Sequence, residues 1–223
     1  MRFWRDGRIV RTPGRNSRID ERHHRRRIAF ARGRWTCFCV LDCDSRITYS
    51  DITMAQIAKW FERKFEFSFP VELYPDLCVR LRGTPARLEE MLRERQASHM
   101  VRSSDGKWSA QEHVGHLLEL EPLWMARVDD FVSGRDELSV ADLSNRSTFE
   151  ARYNERAIGK VLADFRHARL SLVERLAGID AALFGRTRLH PRLKTPMRLV
   201  DHLFFVAEHD DHHLAIVWEM SRG

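Results

Sequence analysis

The side chains in this sequence best placed to do chemistry are imidazoles. Near the C-terminus, His209-Asp210-Asp211-His212-His213 sets two histidines four residues apart. On a helix His209 and His213 fall about 40° apart on one face and about 6 Å apart along the axis, so both rings can reach one metal ion. His202 precedes them on nearly the same stripe, whereas His212 points about 100° away from His213. A third ligand has to come from another helix, and His113 and His116 are the candidates. His116 shares its stripe with Leu120 and Leu123 and so looks inward, while His113 is rotated about 60° from it. The plain alternative for an isolated HxxxH pair is two surface or core histidines with ordinary partners. Imidazole-only ligation suits zinc, nickel, copper or iron, and three ligands leave positions for water or substrate.

Glu112, Glu119, Glu121, Asp210 and Asp211 flank these histidines. One of them could orient an imidazole or act as a base. The expectation for any single one is that it belongs to the solvated face of its helix. No GxSxG, P-loop or dinucleotide fingerprint offers a rival active site.

The elements that must position the imidazoles read as four helices. Thr84-Pro85 looks like an N-cap with proline at the first helical position, opening a helix to about residue 96. Ser109-x-x-Glu112 is a capping box that starts a long helix closing near Ser133-Gly134, with Pro122 predicting a bend inside it. Residues 135–156 are polar and read as a long crossover. A third helix spans about 158–176, with Gly178 just past its end. Residues 185–194 read as loop. Thr195-Pro196 repeats the cap signal ahead of a fourth helix reaching about residue 220, apolar nearly all round and so the most buried. The fold class expected is all-α, a four-helix bundle with one long crossover. The aromatic, proline-bearing residues 54–83 read as an irregular cover over one end.

Charge divides the chain at Met54. Residues 1–53 carry 13 Arg, no Lys and 6 Asp plus Glu, a net of +7, against +6 for all 223 residues. The remainder is therefore close to neutral, which excludes a basic nucleic-acid surface on the folded domain. The domains expected are an Arg-rich N-terminal extension at 1–53, disordered or the product of an over-extended start codon, and a metal-binding domain at 54–223. Cys37, Cys39 and Cys43 fall in the extension, and their C-x-C-x3-C run lacks the fourth ligand of a structural zinc site. Its one apolar piece, 35–41, reads as a weak strand. No apolar run approaches the roughly 20 residues of a membrane span, and no signal peptide is evident, so a cytoplasmic protein is expected.

Three blocks resemble the DinB/YfiT-like four-helix proteins over residues 54–220. The first joins Trp60-Phe61-Glu62-Arg63-Lys64-Phe65 and Phe69-Pro70-Val71-Glu72-Leu73-Tyr74-Pro75 to Arg82-Gly83-Thr84-Pro85-Ala86-Arg87. The second is Trp108-Ser109-Ala110-Gln111-Glu112-His113-Val114-Gly115-His116-Leu117, and the third runs from Val206 through His209 and His213 to Ala215. The resemblance implies a divalent metal, nickel or zinc, held by His116, His209 and His213. It also implies a small-molecule substrate, with either a low-molecular-weight thiol cosubstrate (S-transferase or isomerase type) or water (hydrolase type), and often a homodimer. A non-catalytic, stress-associated metal-binding bundle is the other expectation. The extension has no counterpart in the family. Leu214-Ala215-Ile216 stands where many relatives carry Arg-Gly-Gln, which affects substrate contacts and not the ligands.

Overall fold

A computed structural model describes residues 57–103 and 106–222. The arginine-rich extension, with Cys37, Cys39, Cys43 and the strand reading at 35–41, lies outside the described residues. Four long helices dominate: α1 (Tyr74–Leu92), α3 (Ala110–Ser133), α5 (Ile158–Ala177) and α6 (Leu199–Arg222). Short helices α2 (Ala97–Met100) and α4 (Arg146–Glu150) sit in the connections, and β1 (Thr187–Leu189) pairs antiparallel with β2 (Pro196–Arg198). Neighbouring long helices pack around the bundle in the order α1, α6, α3, α5 and back to α1. This is a four-helix bundle. Among the described residues no helix is long and apolar enough to cross a membrane.

The start of α3 follows its sequence signal. Glu112 N–H donates to Ser109 Oγ at 3.1 Å and Ser109 N–H donates to Glu112 Oε2 at 2.8 Å, closing the capping box. The helix stops at Gly134, whose φ of 81° is the left-handed turn that glycine adopts without steric cost. Pro122 lies on the exposed face of α3, where the carbonyl it leaves free is near solvent.

The two threonine-proline signals do not start helices. The chain is already helical from Tyr74, with Pro75 in the first turn, and Thr84 and Pro85 lie buried inside α1. Pro85 cannot donate to the carbonyl four residues back, at Leu81. That carbonyl instead accepts from Arg169 Nη1 at 3.2 Å, and Thr84 Oγ1 donates to Asp210 Oδ2 at 2.8 Å. Tertiary partners thus replace the lost helical bond. In the second case Pro196 pairs with Leu189 in the hairpin. Helix α6 begins three residues later, where Asp201 Oδ2 accepts the Arg198 N–H at 2.8 Å. The expected loop at 185–194 contains β1 as well.

The crossover also has more structure than its polar composition suggested. It carries α4 and a 3-10 turn at Tyr153–Glu155. Tyr153 is buried against α3 at Gly115, where an added Cβ would fall 2.2 Å from its ring. This close approach requires a glycine. Two buried apolar clusters fill the bundle, one around Leu81, Phe131, Leu203 and Val206, the other around Leu88, Val114, Phe165 and Val217. Trp60, Phe65, Phe67 and Phe69, from the segment before α1, close over the first.

Candidate metal centre

Helix α6 projects His209 and His213 inward one turn apart, and α3, packed beside it, supplies His116. All three are buried, and each offers a ring nitrogen within 4.8 Å of the other two. The ring centroids are 4.5 Å apart for His209 and His213, 4.8 Å for His116 and His213, and 5.4 Å for His116 and His209. His209 Nε2 and His213 Nε2 face each other at 3.2 Å. Two imidazoles bound to one zinc at about 2.0–2.1 Å in tetrahedral geometry place their nitrogens about 3.3 Å apart, so this spacing fits a shared ion.

The outward nitrogens agree with that fit. His213 Nδ1 lies 2.8 Å from His113 Nδ1, and His116 Nδ1 lies 3.2 Å from Thr148 Oγ1. With Nδ1 protonated and donating outward, each ring turns an Nε2 lone pair to the centre, the usual arrangement behind a ligating histidine. His209 Nδ1 is buried with no hydrogen-bond partner among the described residues.

Burial keeps these imidazoles neutral. It lowers His116 and His113 to about 4, helped for His116 by the neighbouring His113. Burial first, and then adjacent imidazoles, hold His209 and His213 well below their ordinary value. Neutral imidazole is the form that binds metal. Aromatic rings wall the site: Trp108 lies 4.7 Å from His116 and Trp60 lies 4.9 Å from His209. Beyond them opens a cavity of about 820 Å³, into which all three histidines face.

The expected residues divide clearly. His116, His209 and His213 come together. His212 stays outside that group, half-buried in the cavity wall beside Trp60. His202 is buried between Trp124 and Phe131 and does not join. His113 is buried too, as the hydrogen-bond partner of His213.

The flanking carboxylates are all engaged elsewhere, and two of them are not solvated as expected. Glu112 caps α3, Glu119 accepts from Tyr153 Oη, and Asp211 pairs with Arg80 and Arg87. Glu121 and Asp210 are fully buried on Arg169, whose guanidinium reaches Glu121 Oε1 at 2.6 Å and Asp210 Oδ1 at 3.1 Å. Thr148 and the tryptophan walls were missed by the sequence reading. Nothing local in the crossover marks Thr148, because its role depends on where α4 docks.

The sequence profile of the DinB superfamily matches residues 80–217. Among solved structures the chain is similar to YfiT from Bacillus subtilis, described as a probable metal-dependent hydrolase with an unusual four-helix bundle topology. The two are 22% identical with a TM-score of 0.62, over 72% of this chain and 93% of that one. The chain is also similar to a mycothiol-dependent maleylpyruvate isomerase, at 11% identity and a TM-score of 0.52, over 66% of this chain and 60% of the isomerase. A comparison with curated protein sequences finds no match.

Proposed function

This chain belongs to the DinB superfamily, and from that premise we propose that it is a metal-dependent enzyme acting on a small molecule through His116, His209 and His213. The observation that carries the reading is the convergence of three buried, neutral imidazoles at the wall of a large cavity. The donor set is all-nitrogen and suits nickel or zinc. A bound divalent ion supplies Lewis acidity, lowering the pKa of a thiol or a water molecule that meets it.

The protein's own groups do the rest. His113 and Thr148 fix the His213 and His116 rings so that Nε2 points to the centre. Trp60 and Trp108 exclude bulk water from the ligands. His212, neutral in the cavity wall and 5.3 Å ring to ring from His213, is placed to take the proton released by the nucleophile on an imidazole nitrogen. Because the carboxylates beside the ligands are engaged elsewhere, no carboxylate base is assigned. The similarity to a probable metal-dependent hydrolase supports water as the nucleophile, and that to a mycothiol-dependent isomerase supports a low-molecular-weight thiol. The homodimer belongs to the same reading and rests on family resemblance alone, while the cytoplasmic location stays an expectation from the sequence.

Elemental analysis of the purified full chain, beside His116→Ala, His209→Ala and His213→Ala, tests the centre. The expected result is one nickel or zinc per chain, lost in each variant with the helical fold retained. Turnover of thiol acceptors or esters that disappears with the metal supports catalysis. A metal-loaded protein inert towards both classes favours a binding role instead.

A further inference from the structure

The same cavity has a second polar end, built by Arg127 of α3 and by His190 and Arg192 of the turn between β1 and β2. Arg127 is only 2% exposed, yet among the described residues no carboxylate hydrogen-bonds its guanidinium. Nε donates to Ser139 O at 2.9 Å, and Nη1 faces His190 Nε2 at 3.2 Å. Asp130, one turn along α3, is already engaged by the Ser139 N–H at 2.6 Å and by Arg135 at 3.3 Å.

His190 cannot satisfy everything aimed at it. Its Nδ1 is also offered the backbone N–H groups of Arg192 and Leu193, at 3.2 and 3.1 Å. A neutral imidazole has one acceptor nitrogen. If Nδ1 accepts, Nε2 carries the hydrogen and meets Arg127 donor to donor. If Nε2 accepts, the two backbone donors lose their partner. Protonating His190 would remove both acceptors, and burial together with Arg127 and Arg192 holds it down to about 3.

Arg192 repeats the pattern. Its Nη2 is buried with no hydrogen-bond partner among the described residues, and its guanidinium stacks 5.3 Å from the Phe61 ring and 5.8 Å from Phe205. Exposed Lys107 adds a positive charge to the lining of the cavity as a whole. The acid in that wall, Asp142, has its oxygens turned to Ser144 and to the Arg146 N–H. Buried donors therefore outnumber acceptors at this end, a state that is costly unless an anion completes it.

We propose that this end is an anion subsite, in which Arg127 and Arg192 hold a carboxylate of the substrate. Trp124 touches both groups: its ring lies 5.4 Å from Arg127 Cζ and 5.9 Å from the His209 ring. One indole thus contacts both the Arg127 guanidinium and the nearest of the three histidines, and Trp60, Phe61 and Phe205 line the same cavity. The substrate class is an amphipathic carboxylate with an apolar or aromatic middle. That its reacting centre meets the histidines rests on the function proposed above. The anion subsite itself does not.

The test uses the full chain and two probes of matched shape, phenylacetate and the neutral phenylacetamide, titrated calorimetrically with metal present and after chelation. Phenylacetate is expected to bind about tenfold more tightly than the amide in both states. Arg192→Gln, with thermal melting to verify its fold, removes that preference, and Arg127→Gln does so where it folds. Equal binding of the two probes, or no binding of phenylacetate at millimolar concentration, overturns the proposal. So does a preference unchanged in folded Arg192→Gln. A preference that vanishes on chelation also overturns it, because the carboxylate is then on the metal. Since the chelated measurements need no ion, a failed metal centre and a failed anion subsite give different results.

Discussion

Two of the buried polar clusters meet on α6 at adjacent residues, His209 and Asp210. Around Asp210 the chain supplies every partner: Arg169 spans Glu121, Asp210 and the Leu81 carbonyl, and Thr84 completes the carboxylate. Burial works against the Arg169 charge, and the two carboxylates more than offset it. Around His209 the chain leaves gaps. His209 Nδ1, both nitrogens of His202 and Trp124 Nε1 are buried without hydrogen-bond partners among the described residues, and ring nitrogens face one another across an open centre. A paired buried cluster holds helices together, whereas an underpaired one is completed from outside the chain.

The largest effect that can break this comparison comes from Arg169→Met. Stranding two buried carboxylates and a carbonyl should lower stability by about 3–5 kcal/mol, read by urea denaturation of chelated protein. A loss no greater than that of an ordinary surface substitution would show that the paired cluster does not hold the helices. The histidine cluster should behave in the opposite way. His209→Ala should abolish the stabilisation on adding metal, about 2.7 kcal/mol at a hundredfold excess over Kd and read as a rise in melting temperature, while the chelated variant stays folded. A metal-induced shift that persists in that variant would remove His209 from the centre.

Thr148→Val sharpens the contrast from outside the triad. Losing the acceptor behind His116 should weaken metal affinity about 10- to 100-fold with the three ligands intact, measured by competition with a chromogenic chelator. A further contrast is in pH dependence. Burial, reinforced by Asp210 and opposed by Arg169, raises Glu121 to about 7. Its contribution to stability is full below its ordinary value of 4.5 and is lost as pH rises through 7. His190, lowered to about 3, contributes fully above 6.5 and loses that contribution as pH falls towards 3. Glu121→Gln should therefore flatten the alkaline side of the stability profile and His190→Asn the acid side. Unchanged limbs in folded variants would count against both assignments.

What the sequence made legible was local. Helical spacing put His209 and His213 on one face, the Ser109–Glu112 box placed α3, and the stripe through His116 aimed it inward. Thr84-Pro85 misled because a cap signal is also two residues that can be buried, and Thr195-Pro196 because an exposed proline also fits the end of a short hairpin strand. Thr84 and Pro85 sit mid-helix since Asp210 and Arg169, more than 80 positions away in sequence, satisfy what the helix cannot. Glu121 and Asp210 looked like solvent-facing acids for the same reason, as their partner comes from α5. Thr148, His190 and Arg192 belong to connections, where periodicity carries no information and only docking reveals a role.

The proline inside α1 has a consequence for how the helices find their alignment. Apolar side chains on neighbouring helices tolerate a slide of one turn at modest cost, since one leucine replaces another. The vacant Leu81 carbonyl does not, because it is a single notch at one height on α1, and Arg169 reaches it only while also reaching Glu121 and Asp210. A one-turn slip of α5 would leave that guanidinium unmatched on three neighbouring helices at once. The irregularity in one helix thus acts as an index mark for the other three, and it fixes the heights at which α3 and α6 present His116, His209 and His213 to one another.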